Sequence, residues 1–241
     1  MTPAERVITA GSMLKERPIL FSADMVRAIL DGRKTQTRRV VKKQPPFECS
    51  GCYAANLGSG LPWFDFCEAG TQTIHRVRSP YTVGQRLWVR EAWGCKEPYV
   101  DPPGIPGGRK PAAGDRIVYR ANTDDDYQWR DGSLPWRPSV HMPRWASRIT
   151  LAVTDVRVAR VQEISENDSK NEGCNIEMID AKVIAECDPG PARELATAMK
   201  GGWLTARFDF EMLWDSINEK RGFGWKANPW VWVITFTRVA P

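Results

Sequence analysis

No window of about 18 uncharged apolar residues occurs in this chain, which excludes a conventional membrane-spanning helix. Histidine is scarce, with two among 241 residues, and no Ser-His-Asp signature accompanies them. A Walker A loop and a G-x-G-x-x-G turn are both missing. The glycines between 104 and 108 lack the strand and helix that such a phosphate cradle needs. Internal repeats and heptads are absent too. Met1 to Leu20 carries Glu5, Arg6, Lys15, Glu16 and Arg17 and no apolar core, unlike a secretory signal. Residues 1–16 therefore read as a flexible leader. Without that signal, the six cysteines argue for reduced thiols in a cytoplasmic protein rather than for a disulfide framework.

Acids are missing from one informative stretch. Arg33, Lys34, Arg38, Arg39, Lys42 and Lys43 fall within eleven positions that contain no carboxylate. The net charge of +5 is only mildly basic, so this clustering says more than the total. A solvated basic face is one reading; a phosphate-facing surface is the other. Eleven tryptophans add apolar bulk for a core and flat rings on which bases can stack. Their number does not separate the two roles.

The order of elements suggests an α+β chain. Ser22 caps a short helix in which Met25, Val26, Ile29 and Leu30 recur at helical spacing, and Gly32 stops it. Residues 44–80 are rich in Pro, Gly, Ser and Cys and read as an irregular insertion. Arg86 to Trp93 and Asp115 to Ala121 read as strands, and 98–111 and 122–138 as loops. Ile149, Leu151 and Val153 alternate, then Val156 and Val158 resume one residue out of phase, which predicts a bulge. Ser165 caps a helix ending at Glu172-Gly173. Residues 175–202 read as a helical insertion broken at Pro189-Gly190-Pro191. Thr205 to Glu219 is amphipathic, with Phe208, Met212, Leu213 and Ile217 assigned to the core face. Trp230 to Val239 is a closing strand with Trp232, Ile234 and Phe236 on one side and Val231, Val233 and Thr235 on the other. Short strands with few helices suggest a small β-barrel with helices at its margins.

Two constellations carry chemistry. Cys49, Cys52, Cys67 and His75 offer four soft ligands and the first pair has zinc-like spacing, but the remainder fits no finger pattern; structural zinc and plain reduced thiols both stay open. His141 is a structural histidine or a ligand contact. The other constellation is the loop from Gly32 to Arg39. A threonine hydroxyl such as that of Thr37 needs a base to become a nucleophile. Lys34 serves as that base if burial or nearby cations lower its pKa. A carboxylate must then hold the lysine, and composition alone does not choose it among 29 acids. The other reading of Lys34 and Thr37 is a turn with phosphate contacts.

Gly32-Arg33-Lys34-Thr35-Gln36-Thr37-Arg38-Arg39 resembles the G-x-K-x-x-T-x-R signature of the ASCH family, a branch of the PUA-like β-barrel superfamily. Three further segments resemble that family in order: Val83 to Val89, with Gln85 where an acid is usual; Ile164 to Gly173, ending in Glu-Gly; and Trp230 to Val239. With Met142-Pro143-Arg144-Trp145-Ala146, the chain is similar over residues 17–239 to the longer ASCH-like proteins of bacteriophages and prophages. The resemblance implies one PUA-like barrel domain over 17–241, with insertions at about 43–80, 96–145 and 175–204. Small bacterial members include N4-acetylcytidine amidohydrolases. By that likeness Thr37 attacks an amide carbonyl, Lys34 activates it, and Glu172 orients the lysine or relays a proton. No metal or other cofactor is called for. Arg33, Arg38, Arg39, Arg144 and Trp145 are the expected contacts to phosphate or nucleic acid. Other members bind RNA or modified bases and some are assigned nuclease activity, so a non-catalytic reader of RNA or modified DNA is the alternative. The expected partner is a modified nucleoside or a nucleic acid, and no membrane.

Overall fold

The computed structural model describes residues 16–46, 49–55, 62–71, 73–95, 114, 117–122, 136–174 and 205–239. The leader up to residue 15 and the helical insertion at 175–202 lie outside them, as do the loop at 98–111 and most of 122–138. Among the described residues no helix is long and apolar enough to cross a membrane.

The architecture is α+β. Its main sheet has the order β1 (Arg17–Leu20), β6 (Arg86–Arg90), β9 (Thr150–Arg160), β10 (Trp230–Val239), β2 (Gln36–Val40). β1 runs parallel to β6 and the other neighbours are antiparallel. β1 and β2 are the two edges, and no ladder joins them among the described residues. The phase break foreseen in β9 is real. Thr235 pairs with Asp155 and Phe236 with Val153, which leaves Thr154 as the extra residue of a bulge. Leu151 and Val153 before it and Val156 and Val158 after it therefore all meet the same core.

β10 divides that core as its alternation foretold. Trp232, Ile234 and Phe236 join Val26 and Ile29 of α1 (Ala23–Leu30) in one apolar cluster. Val231 and Val233 face the other way, toward α3 (Ala206–Asn218). The buried stripe of α3 corrects the sequence reading. Ala206, Phe210, Trp214 and Asn218 are buried, with Leu213 packed beside them, whereas Phe208, Met212 and Ile217 are exposed. The i, i+4 stripe holding Phe210 and Trp214 offers the larger apolar area, so it wins the core. Trp214 also satisfies its indole by donating to Phe223 O at 2.8 Å.

A second correction concerns 44–80. Instead of an irregular insertion, β3 (Cys49–Ala55), β4 (Trp63–Glu68) and β5 (Ile74–Arg78) form an antiparallel three-stranded sheet. Buried Phe64 and Phe66 alternate along β4 with half-buried Trp63 and Asp65. Those two rings meet Trp232 and Trp230 edge-on, each at 5.1 Å between centroids. The small sheet thus shares the core of the large one.

Arg86–Trp93 is not one strand either. The ladder stops at Arg90, and Trp93–Cys95 (β7) pairs with Ile117–Tyr119 (β8) instead. At the break, buried Glu91 receives two hydrogen bonds of 2.9 Å from Arg148, whose guanidinium stacks over Tyr119 at 4.0 Å. Trp93, Met142 and Ala146 make a small apolar cluster beside this pair.

Candidate functional site

The basic loop is held by backbone bonds from three elements. Gly32 closes α1 with φ +76°, in the left-handed region. Lys34 N donates to Ala28 O, Thr35 N to Asn171 O at the end of α2 (Glu166–Asn171), and Phe236 N to Thr35 O, each at 2.9 Å. α2 begins at Ser165, whose hydroxyl accepts from Asp168 N at 3.0 Å. It ends at Glu172 and at Gly173, which has φ +88°. A Cβ on Gly173 would lie 2.9 Å from Ala28 Cβ and 3.3 Å from Lys34 Cβ. That glycine is what lets α1 and Lys34 pack against the helix end.

The Lys34 side chain is fully buried and meets the acid that the resemblance proposed. Nζ donates to Glu172 Oε2 at 2.8 Å and to the Glu172 carbonyl at 2.6 Å. Glu172 Oε1 accepts from Arg38 Nη1 at 3.2 Å. Arg38 continues the chain, donating to Gln36 Oε1 at 2.7 Å and to Asp168 Oδ2 at 2.9 Å. Arg157 on β9 closes it with a 2.8 Å bond to the same Asp168 oxygen. Burial pushes the Lys34 ammonium below its ordinary range, and Glu172 offsets only part of that push. Burial also raises the Asp168 carboxyl, but Arg157 and Arg38 together outweigh it and hold the group low.

β2 is an edge strand, and its two faces supply different parts of the site. Gln36 and Arg38 project toward the α3 side, with Arg38 5.6 Å from the Phe210 ring. Thr37 and Arg39 project to the opposite side, paired across the ladder with Ile234 and Trp232. A cavity of about 670 Å³ wraps this edge and touches Thr37, Arg38, Arg39 and Glu172. Lys34 lies one layer beneath it. Thr37 is buried, and no hydrogen bond links it to Lys34.

Lys34, Glu172 and Arg38 are therefore in direct contact, and Thr37 and Arg39 border the same cavity. Three other expected contacts do not line this cavity. Arg33 is an exposed partner of Asp31 at 2.9 Å. Arg144 is neutralised by Glu16 at 2.7 Å, and that bond ties down the last residue assigned to the flexible leader. Trp145 packs edge-on against Trp93 at 6.0 Å. Both sit in the 3₁₀ turn Arg144–Ala146, away from the cavity wall. Asp168, Gln36 and Arg157 were not among the site residues expected from sequence. The signal for Asp168 was its position four before Glu172, one helical turn away on the same face.

The thiol set does not assemble into a metal site. Cys49 and Cys52 of β3 pack against the apolar core, and Cys67 and His75 lie on β4 and β5. Among the described residues no three His, Cys, Asp or Glu side chains converge on a common metal position. Burial, with Cys49 and Cys67 nearby, pushes the Cys52 thiol up to about 12, so it stays protonated at neutral pH. His141 is exposed in a short 3₁₀ turn.

Comparison with known proteins adds no relative: no family model, no curated protein and no solved structure matches the chain.

Proposed function

We propose that this chain is an ASCH-type amidohydrolase, on a PUA-like barrel framework, that removes an acyl group from a modified nucleoside or base such as N4-acetylcytidine. The observation that carries the reading is the buried Lys34–Glu172 contact behind a cavity that Glu172 and Thr37 both line. Burying this lysine and this carboxylate in charged form is expensive and contributes little net stability over an apolar pair. Their contact beside a cavity is better explained by proton chemistry, with the lysine able to lose its proton.

The hydrogen bonds suit a neutral lysine. A neutral amine has two N–H donors and one lone pair. Both donors are committed to Glu172, to its carbonyl and its carboxylate. The lone pair is then left to take a proton. In the proposed reaction Thr37 Oγ attacks the acyl carbonyl and its proton passes to Lys34. The tetrahedral oxyanion is met by the guanidinium of Arg39 or Arg38. The C–N bond then breaks, the amine leaves with the proton held by Lys34, and water hydrolyses the threonine ester to the carboxylic acid. The reaction requires Thr37 and Lys34 to come within hydrogen-bonding distance when substrate binds, since catalytic contacts often tighten only in the complex.

The test is release of cytidine from N4-acetylcytidine by purified protein across a range of pH. We expect turnover that is abolished in Lys34→Ala. We also expect an activity limb that rises with pH and levels off below 10.5, the ordinary lysine value, because the base must be neutral. Unimpaired turnover in a folded Lys34→Ala protein would reject this mechanism. Binding of the nucleoside without turnover would favour the non-catalytic reader.

A further inference from the structure

The cavity has far more positive charge than a nucleoside requires. Arg17, Arg39, Lys42, Lys43, Arg78 and Arg221 all border it, and none forms an ion pair with a described residue. Among the described residues the one acid on its wall, Glu172, is already met by Lys34 and Arg38. Uncompensated cations crowded around one concavity repel one another and create a strong positive potential there. Such an arrangement is explained by a polyanionic ligand.

Flat rings are interleaved with these cations. Arg78 lies over Trp63 at 5.9 Å and Arg17 over Tyr81 at 5.8 Å, and both rings border the cavity. Trp63 and Arg78 face each other across the β4–β5 ladder. The small sheet thus lines the same cavity as Thr37, Arg38 and Glu172. A third observation is an orphaned donor. Arg38 Nε is buried without a hydrogen-bond partner, although both terminal nitrogens of the same guanidinium are engaged. Leaving a buried donor unsatisfied is costly, and an acceptor oxygen from a ligand would relieve it.

We infer that the ligand is a nucleoside embedded in a single strand of nucleic acid, with flanking phosphates held by the cation ring and a neighbouring base stacked on the Trp63 or Tyr81 wall. A free nucleoside brings no phosphate for six cations. A duplex hides its base faces, whereas an unpaired strand offers both backbone charge and faces to stack. The inference builds on the proposed site but does not require that the site turn over.

Fluorescence anisotropy with an end-labelled ten-nucleotide single strand tests it, as RNA and as DNA, beside the matching duplex. We expect the single strand to bind more tightly than the duplex. If all six cations engage phosphates, affinity should fall by up to about 300-fold between 50 and 200 mM salt. Arg78→Ala and the double variant Lys42→Glu/Lys43→Glu should each weaken binding and flatten the salt slope; Lys42 and Lys43 are exposed, which makes that variant the safer folding control. Tighter binding of RNA would assign part of the contact to the 2′-hydroxyl, and equal binding would assign it to phosphates and bases. No strand binding at 50 mM salt, with acetylcytidine still hydrolysed, would overturn the inference and leave the amidohydrolase reading standing. Preference for the duplex, or binding indifferent to the Lys42/Lys43 and Arg78 changes, would overturn it as well. Strand binding without turnover would support it while removing the hydrolase reading.

Discussion

Gly173 shows how a single backbone angle fixes chemistry. It sits just past the end of α2 with φ +88°, and its missing side chain admits Ala28 and Lys34. Gly173→Ala adds two penalties. An alanine in the left-handed region costs about 1–2 kcal/mol. Its Cβ would also stand 2.9 Å from Ala28 Cβ, so α1 or the helix end must shift. We expect a stability loss of at least about 1 kcal/mol in urea denaturation. Turnover should fall by more than that loss explains, because Glu172 is the neighbouring residue and its contact with Lys34 moves too. Full activity in a destabilised Gly173→Ala protein would show that Glu172 tolerates displacement and is not poised for proton transfer.

At the level of elements, α2 acts as the bracket of the site. Its last turn presents Asp168 and Glu172 to Arg38, while Glu166 at its start accepts from Ala206 N and Arg207 N at 2.8 and 3.1 Å and so caps α3. Asp168 holds two guanidiniums with a carboxyl kept below its ordinary value of 3.8. A folded pKa below the unfolded one means that the unfolded chain binds more protons in the window between them. The stabilisation from Asp168 is therefore complete above about pH 4 and is lost as pH falls through the lowered folded value. Asp168→Asn should cost about 1 kcal/mol at pH 7, and the gap to the parent protein should narrow as urea denaturation is repeated below pH 3.8. A gap independent of pH would mean that the carboxylate charge is not what binds these arginines. Sequence made part of this bracket visible: the Ser165 cap, the Glu-Gly end and the β10 alternation all follow from local rules. Asp168 reads from sequence only as part of the helix start, because its role in the site depends on Arg38 and Arg157, which come from two distant strands. The face of α3 was misassigned because Met212 and Ile217 satisfy the helical period as well as Phe210 and Trp214 do, and only packing against Val231 and Val233 decides between them. Residues 44–80 hid a sheet because their turn-forming residues masked the short alternation of Phe64 and Phe66.

On the scale of the molecule, the question is whether the β3–β5 sheet is an appendage or part of the folding unit. Appendages bury their own small cores and melt separately. Here Phe66 is fully buried, and its neighbours include Trp230 of the main sheet rather than only its own strands. Phe64 meets Trp232 in the same way. The wall that carries Trp63 and Arg78 is thus fixed in position by the same rings that anchor β10 beside β2. A large-to-small change at Phe66 removes a ring from that shared core and should cost about 3–5 kcal/mol. If the two sheets form one cooperative unit, Phe66→Ala lowers the denaturation midpoint of the whole chain, and far-UV circular dichroism and tryptophan fluorescence shift together. If the small sheet is an appendage, the main transition stays where it is and a separate, earlier one appears. The shared rings argue for the first outcome. It would also mean that the cation-rich wall is held in a set geometry against the Lys34 site before any ligand arrives, so that little ordering cost is added on binding.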